Sequence, residues 1–156
     1  MRQDRRCAAT GEAQTGVTEL SVVRSADQIR HHRHLKAASD LGVPLIGVGL
    51  LYREGYFHHA LNGDGWQIEH NPENDFYQMP VQPVRSDRGD HLTIEVPFAH
   101  GPVLTRIWLA RVGRIGLYLL DTDVEENSPL DRWITAQLYV ADAEVRRAQY
   151  ALLGLG

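Results

Sequence analysis

An apolar run, Val43–Leu51, is the feature of this sequence that most constrains its fold. The run is too short for a good helix, and its branched residues indicate a strand covered on both faces, as in a parallel sheet. Leu35–Leu41 precedes it with helical spacing of apolar residues, and Gly42 stands where a left-handed helix cap is needed. A helix, a tight glycine turn and a buried strand form half of an α/β unit, so we expect an α/β fold.

Gly47 and Gly49 lie inside this predicted strand and resemble the start of a dinucleotide-binding glycine pattern. Tyr52 occupies the position of the third glycine, and the pattern lies within the strand instead of between a strand and a helix. We therefore reject a dinucleotide site. The two glycines are better explained by a neighbouring element that approaches the strand backbone closely.

A hairpin and three further strands are predicted in the middle of the chain. Asn62–Gly65 is a strong turn signal between two strand-like segments. Residues 92–96, 103–112 and 115–120 show the alternation or apolar content of strands. Because short turns join these three, we expect an antiparallel β ribbon added to the parallel sheet.

Two helices are predicted towards the carboxyl end. Ser128 is the expected cap of the first, with Pro129 at its first position. Its buried stripe is predicted to comprise Trp133, Ile134, Gln137 and Leu138. Asp142 is the expected cap of the second helix, which should run from about Ala143 to Leu153 and end at Gly154.

Residues 1–33 differ from the rest of the chain, because arginines are scattered there among small polar residues without a sustained period. We expect a poorly ordered arm over 1–33, followed by a partial domain over 34–156. His31, His32 and His34 could bind a metal or an anion, but no second ligand cluster stands at a recognisable spacing. A solvated approach to the first helix is the alternative.

Two other groups of possible ligands have ordinary structural explanations. His58 and His59 are adjacent, so their side chains diverge on a helix or a strand and do not converge on one ion. Asp121–Asn127 contains four carboxylates but lacks the spacing and central glycine of a calcium-binding loop. We interpret it as a solvated loop.

Composition excludes several classes of protein. The chain has 156 residues and a formal net charge of −4, which gives no reason to expect nucleic acid or an anionic membrane as a partner. No apolar run approaches the roughly 20 residues that span a bilayer. Cys7 is the single cysteine and the first residues lack the apolar core of a secretion signal, so the cytoplasm is the expected location.

Several collinear blocks resemble the short, bacterial type of α-glucan (glycogen, maltodextrin or starch) phosphorylase. They are His34–Arg53, Gly55–Phe57, Gly63–Glu69, Pro72–Asp75, Leu117–Asp123, Glu126–Pro129, Asp131–Thr135 and Leu138–Tyr139. The resemblance extends from about Leu35 to Gly156. It implies part of the N-terminal Rossmann-like half of a two-domain glycosyltransferase of the GT-B type, with an inserted antiparallel β ribbon and an active site between the two halves.

The resemblance also implies a reaction and a cofactor. Such enzymes release glucose 1-phosphate from the ends of α-1,4-glucan with inorganic phosphate. They bind pyridoxal phosphate as a Schiff base to a lysine, and the phosphate of the cofactor takes part in proton transfer. Lys36 is the only lysine of this chain and does not match the cofactor lysine. We therefore expect no covalently bound pyridoxal phosphate here.

The chain departs from the family pattern in two ways. The family has a glycine-rich loop before the helix at Leu35, where backbone amides approach phosphate and sugar, whereas Gln28–Arg33 contains no glycine. The carboxyl-terminal domain of the family has no counterpart in the sequence. We expect the isolated chain to be inactive, as a truncated gene, a frameshift product or one part of an enzyme whose missing part is a separate chain.

One segment could still contribute to a glucan site. Leu138–Glu144 resembles the family loop that gates the catalytic cleft, and Asp142 is the candidate for the acid that lies near bound sugar. Val140 and Ala141 replace two glycines of that loop, which predicts a gate that is either stiffer or differently shaped. An ordinary helix cap is the alternative role of Asp142.

Two other functions compete with a phosphorylase fragment. The first is a stand-alone glucan-binding module, with Trp66, Trp108 and Trp133 as sugar-stacking faces. The second is a non-functional remnant, in which lost neighbouring elements leave strand edges and apolar helix faces uncovered.

Overall fold

The computed structural model describes residues 21–25, 28–55, 58–70, 72–138 and 140–155. The described elements are a mixed sheet, a separate hairpin and helices. In chain order they are β1 (Ser21–Ser25), α1 (Gln28–Asp40), β2 (Leu45–Leu50), β3 (His58–Leu61), β4 (Gln67–His70), a short 3-10 helix (Phe76–Gln78), β5 (Val81–Pro83), β6 (Thr93–Phe98), β7 (Gly101–Val112), β8 (Ile115–Asp121), α2 (Pro129–Arg132) and α3 (Ala143–Leu155).

The six-stranded sheet joins parallel and antiparallel strands. Its order is β1-β2-β8-β7-β5, and β6 also pairs with β7. β1 and β8 both run parallel to β2, whereas β5, β6 and β8 are antiparallel to β7. The predicted α/β class is therefore confirmed as a mixed α/β fold. The three strands predicted after residue 90 are present with antiparallel pairing, but β8 is also a parallel neighbour of β2, so the prediction that it belongs only to an added ribbon is wrong. β5 was not predicted, because three residues carry no periodic signal.

α1 and α3 pack on opposite faces of this sheet. Leu35 of α1 lies against Gly47 of β2. Leu152 of α3 belongs instead to a buried cluster with Leu50 and Leu120. Because successive residues of a strand point to opposite faces, residues 47 and 50 of β2 face opposite sides. The parallel strands are thus covered on both sides, as the apolar run in β2 predicts.

The turn predicted at Asn62 and the helix end predicted at Gly42 are both present in the structure. β3 and β4 form the predicted antiparallel hairpin, and the side-chain oxygen of Asn62 accepts hydrogen bonds from the backbone N–H groups of Asp64 and Trp66. Gly42 has a positive φ of 67° and stands two residues after the end of α1. Gly47 has the predicted close neighbour, since a Cβ there would lie 2.8 Å from Leu117 Cδ1.

Regular structure begins earlier than the sequence predicts. The predicted arm over 1–33 includes β1 (Ser21–Ser25), which is hydrogen-bonded to β2, and the first turns of α1 (Gln28–Asp40). β1 is only five residues long, and its pairing with β2 is a tertiary interaction that a local pattern cannot reveal. Residues 1–20 lie outside the described part of the chain, as do the side chains of His31 and His32. The division into two domains stays a prediction.

α2 is shorter than predicted. Ser128 caps it and Pro129 starts it as expected, but the helix ends at Arg132 and the next residues form turns. The carbonyl oxygens of Thr135 and Ala136 accept hydrogen bonds from the chain that follows β2, so they are not available to continue a helix. α3 begins at Ala143 as predicted but includes Gly154, which therefore does not end it.

Candidate functional site

Polar residues collect where β2, β6 and β8 end. β2 and β8 are parallel neighbours, and β6 runs in the same direction as β8 because both are antiparallel to β7. Arg53 and Glu54 follow β2, and His100 follows β6. Asp121 is the last residue of β8, and Thr122 and Asp123 follow it. We call these residues the carboxyl edge. In α/β sheets, ligands bind outside the carboxyl ends of parallel strands, so this is the candidate functional site.

Asp121 is the most deeply buried carboxylate of the carboxyl edge, with 1% of its surface exposed. Its Oδ2 accepts a hydrogen bond from Trp108 Nε1 at 3.3 Å and pairs with Arg106 Nη2 at 3.3 Å, and its Oδ1 accepts one from the backbone N–H of Asp123 at 2.9 Å. Burial raises the pKa of the Asp121 carboxyl, although the hydrogen bond from Asp123 and the charge of Arg106 oppose the rise.

The segment that follows β8 is largely built into the fold. Thr122 and Val124 are buried, and Thr122 Oγ1 donates a hydrogen bond to the Asp131 carbonyl. Asn127 uses its side chain to bridge Leu104 of β7 and Thr122. The prediction of a solvated loop over Asp121–Asn127 is therefore wrong for its first half. Acidic composition suggested solvent exposure, whereas hydrogen-bond partners from β7 and α2 make burial possible.

Two arginines share one carboxylate at the carboxyl edge. Arg132 binds Asp123 with Nη2 and Nε at 2.6 Å, and Arg53 Nη1 lies 3.7 Å from the same carboxylate. Arg53 also pairs with Glu73 at 3.8 Å, and its guanidinium carbon lies 5.6 Å from the centre of the Trp133 ring. Trp133 is thereby supported by a cation–π contact that Asp123 helps to orient.

A groove adjoins the carboxyl edge between the β6–β7 turn, α2 and α3. It encloses about 480 Å³ and is lined by Phe98, His100, Leu130, Asp131, Trp133, Ile134, Asp142, Glu144, Val145, Arg147, Ala148 and Ala151. His100 Nε2 lies 2.8 Å from Asp131 Oδ1, and Ser128 Oγ donates a hydrogen bond of 2.6 Å to Asp131 Oδ2. The lining of the groove therefore combines apolar side chains with a few polar ones.

The structure brings Asp142 to this groove. Asp142 is exposed, and its Oδ1 accepts a hydrogen bond of 2.7 Å from the backbone N–H of Glu144. This is the geometry of a cap at the start of α3, as the sequence predicts. The gating role of Asp142 stays a prediction. The side chain of Tyr139, in the same loop, lies outside the described residues.

The three tryptophans differ sharply in exposure. Trp108 is 2% exposed, and Phe76, Tyr77 and His91 meet its ring edge to face. It is a core residue and cannot stack against a sugar, so the prediction of a sugar-stacking face is wrong for Trp108. Trp66 is 74% exposed at the hairpin, and Trp133 is 41% exposed in the groove. The predicted buried stripe is therefore wrong for Trp133.

Arg53, Arg106 and His100 are residues of the candidate site that the sequence interpretation missed. Arg53 had a usable signal, since a charged residue stands directly after a buried parallel strand. Arg106 alternates within β7 like a solvent-facing residue, and only the pairing of β7 with β8 places it beside Asp121. His100 follows β6 in a two-residue turn, and its partner Asp131 is distant in sequence.

Lys36 does not fit a Schiff-base site. It is exposed on α1 and lines a cavity of about 240 Å³ with Arg111 and Gly113 beside the β7–β8 turn, at the end of β8 opposite to the carboxyl edge. An amine that forms a Schiff base is normally desolvated or held beside another cation within a ligand site. Lys36 is exposed, and the cavity that it shares with Arg111 lies at the end of β8 away from the carboxyl edge, so its amine is not desolvated there.

The described part of the chain contains neither a cluster of metal ligands nor a helix that could span a membrane. No three His, Cys, Asp or Glu side chains converge there as a metal site, and His59 contacts Gln67 across the hairpin. Among the helices with described residues, none has the length and apolar character needed to cross a bilayer.

No protein-family model matches the chain. Curated relatives do match. The sequence is 50% identical over 123 residues to maltodextrin phosphorylase of Thermococcus litoralis, covering 79% of this chain and 15% of that protein. It is 48% identical over 124 residues to glycogen phosphorylase of Mycobacterium tuberculosis (79% and 14%), and 43% identical over 122 residues to that of Aquifex aeolicus (78% and 18%).

These matches relate the chain to one part of longer phosphorylases. It spans less than a fifth of the length of each of these three phosphorylases. Over nearly four fifths of its own length, the chain is a homologue of one segment of the maltodextrin and glycogen phosphorylases.

Proposed function

We propose that this chain forms part of the N-terminal Rossmann-like half of an α-glucan phosphorylase, a two-domain glycosyltransferase of the GT-B type. The complete enzyme would release glucose 1-phosphate from α-1,4-glucan ends with inorganic phosphate. The observation that carries the proposal is the 50% identity to a maltodextrin phosphorylase over 79% of the chain. In this arrangement β1, β2 and β8 belong to the Rossmann-like sheet, and β6 and β7 belong to the inserted ribbon.

In the proposed enzyme the carboxyl edge faces the cleft between the two halves. Asp123 holds Arg53 and Arg132 together, so the two guanidinium groups are oriented before any substrate arrives. Asp142 would lie near bound glucan at the end of the groove. With Val140 and Ala141 before it, the loop has fewer accessible backbone conformations than a glycine pair would give.

The cofactor would be bound outside this segment. When present, pyridoxal phosphate supplies a phosphate group for proton transfer, but the exposed Lys36 does not suit its attachment. The cofactor lysine would then belong to another part of the enzyme, in the same or in a separate polypeptide. The cytoplasm is the location we propose for the enzyme. By itself the chain would position groups of the cleft without completing the reaction.

A segment exchange tests this function. The 123 matched residues of the Thermococcus litoralis maltodextrin phosphorylase would be replaced by the corresponding residues of this chain, and glucose 1-phosphate release from maltodextrin and orthophosphate would be measured. The proposal predicts phosphate-dependent release. A chimera that folds and retains pyridoxal phosphate but releases no glucose 1-phosphate would contradict it.

Variants of Asp142 in this chimera separate its two roles. Asp142→Asn keeps a side-chain oxygen for the Glu144 N–H but removes the charge, whereas Asp142→Ala removes both. A role near bound sugar predicts reduced release with both variants. A role as a helix cap alone predicts that Asp142→Asn retains the activity of the parent chimera.

A further inference from the structure

The cavity between α1 and the β7–β8 turn lies at the end of β8 opposite to the carboxyl edge. Ser39 and Asp40 stand three and four residues after Lys36 on α1, so the three side chains share one face of the helix. β8 has seven residues and is about 20 Å long, which separates this cavity from the candidate functional site. The cavity encloses about 240 Å³ and is lined by Lys36, Ser39, Asp40, Arg111, Val112 and Gly113.

The β7–β8 turn packs closely against α1 at Ser39. The backbone N–H of Arg114 donates a hydrogen bond of 2.9 Å to Ser39 Oγ. Gly113 has a positive φ of 62°, and a Cβ on Gly113 would collide with Ser39 Oγ. Ser39 also lines an adjoining cavity of about 350 Å³, together with Arg114. The turn and α1 are thus fixed to each other before any ligand binds, which reduces the entropy that binding costs.

The lining of this cavity carries an excess of positive charge. Lys36 and Arg111 line it, and Arg114 stands beside it in the turn. Within the described residues, none of these three cations forms an ion pair with a carboxylate, whereas Arg53 does so at the carboxyl edge. Asp40 is the only acidic side chain among the described residues of the lining. The charges of Lys36 and Arg111 are therefore available to an anion.

Ser39 adds a hydroxyl donor to this basic lining. The residue is buried, with 8% of its surface exposed. Its Oγ accepts the hydrogen bond from Arg114, and no described residue accepts the hydroxyl hydrogen. Because a serine hydroxyl can donate one hydrogen bond while it accepts another, this hydrogen can bind an oxygen of a ligand in the cavity.

These donors suit a compact anion with several oxygen atoms. A lysine ammonium is a point charge with three donors, and a guanidinium can bind two oxygens of one phosphate or carboxylate. A phosphoryl group carries about −1.5 to −2 charges at pH 7, which matches two cations better than a carboxylate does. The volume of about 240 Å³ is below the roughly 300–1,000 Å³ of sites for larger ligands, so the ligand should be small.

We propose that this cavity binds the phosphoryl group of inorganic phosphate or of a small phosphate monoester. Lys36 and Arg111 bind the phosphoryl oxygens, Ser39 donates a hydrogen bond to one of them, and Asp40 limits the affinity by repulsion. Lys36 is exposed, so it contributes its charge and not a desolvated amine. The net charge of −4 argues against a long polyanion such as nucleic acid. The site is separate from the cleft in which the proposed reaction would consume phosphate.

Calorimetric titration of the 156-residue chain tests this site, with orthophosphate and glycerol 3-phosphate as ligands in a phosphate-free buffer of constant ionic strength. We expect saturable binding of both, and the lower Kd shows whether the cavity prefers the free anion or the monoester. Lys36→Gln and Arg111→Gln should each raise the Kd on the order of tenfold, because each removes a charge-assisted hydrogen bond. Both side chains are exposed, so the variants should keep the fold, which chemical unfolding checks.

Two further variants distinguish this cavity from other basic groups of the chain. Arg147→Gln makes the same change of charge on α3, on the other face of the sheet, and should leave the Kd unchanged. Asp40→Asn should lower the Kd roughly two- to fivefold, because it removes a negative charge from the lining. A residue that only supports the fold would not strengthen phosphate binding when it is replaced.

Several results would overturn the phosphoryl site. They are the absence of saturable binding, a Kd that Lys36→Gln and Arg111→Gln leave unchanged, and an equal loss with Arg147→Gln. Binding of a double-stranded oligonucleotide in the absence of orthophosphate binding would replace this site with a nucleic-acid surface. Glucose 1-phosphate release by the chimera is measured independently, so the phosphoryl site and the proposed function can fail separately.

Discussion

Gly47 of β2 lies so close to Leu117 of β8 that a Cβ on Gly47 would stand 2.8 Å from Leu117 Cδ1. It would also stand 3.3 Å from Leu35 Cδ2 of α1. The glycine thus lets α1 pack tightly over the two parallel strands that end at the carboxyl edge.

Gly47→Ala should destabilise the fold by about 1–3 kcal/mol, because the added methyl group overpacks this contact. Gly63→Ala is the control, since a Cβ on Gly63 meets no atom within 4 Å, and it should change stability by less than about 0.5 kcal/mol. Urea unfolding gives both free energies. Equal effects of the two substitutions would show that the close approach at Gly47 carries no packing constraint.

The Asn127 side chain makes three hydrogen bonds, two of which tie the segment after β8 to Leu104 of β7. Its Oδ1 accepts from the Leu104 N–H at 2.9 Å, and its Nδ2 donates to the carbonyls of Leu104 at 2.7 Å and Thr122 at 2.9 Å. Asn127→Ala should cost roughly 2–4 kcal/mol, since half-buried backbone groups lose their partners.

Asn62→Ala is the matched control for Asn127→Ala. Asn62 accepts two backbone hydrogen bonds at the exposed hairpin turn, where water can replace the side chain. Its loss should therefore cost less than that of Asn127. An equal or larger loss for Asn62→Ala, measured by chemical unfolding, would refute the tie between Asn127 and β7.

Protonation of His91 should lower the free energy of unfolding at acidic pH. Burial against Trp108 is the main cause that lowers the pKa of His91 from 6.5, and its Nε2 lies 3.0 Å from the Ile107 carbonyl. Below about pH 6.5 the unfolded chain binds a proton that the folded chain still excludes. The stability contributed by His91 is therefore complete above that pH and is lost as pH falls through the lower pKa of the folded state.

The free energy of unfolding of the native chain minus that of His91→Gln isolates this titration. The difference should be constant above about pH 7 and should decrease towards about pH 5, because glutamine does not titrate. A difference that stays flat over the whole range would contradict the lowered pKa of His91.

The contribution of Asp121 to the free energy of unfolding should change with pH in the opposite direction to that of His91. Burial raises its pKa from 3.8, so between 3.8 and the higher folded value the native state holds a proton that the unfolded state has released. The contribution of Asp121 to stability is then lost as pH rises through this window and stays constant above it. The stability of the native chain minus that of Asp121→Asn should therefore decrease as pH rises from about 3. An increase would indicate that the Arg106 charge outweighs burial.

Sequence patterns predicted the elements whose signals are local. The Asn62 turn and the Ser128 cap act within a few residues of themselves, and the structure contains both. β1 and the end of α2 were mispredicted because they depend on β2 and on the chain that follows it. Arg53 donates its backbone N–H to the Thr135 carbonyl, a contact between residues remote in sequence.

The candidate site was predictable only in part. Asp142 came from the resemblance to phosphorylases, and the structure shows that it lines the same groove as Trp133. The pairing of Arg106 with Asp121 depends on the register between β7 and β8, which the sequence does not specify by itself. The acidic composition of Asp121–Asn127 suggested solvent exposure, whereas the pairing of β7 with β8 buries the Asp121 carboxylate.

The most direct test of the account measures glucose 1-phosphate release by the isolated chain and by the segment-exchange chimera, side by side. Both receive maltodextrin, orthophosphate and pyridoxal phosphate. We predict release by the chimera and none by the 156-residue chain, because the chain would supply only part of the cleft. Release by the chain alone, or none by a folded and cofactor-loaded chimera, would contradict the assignment of this chain as one segment of an α-glucan phosphorylase.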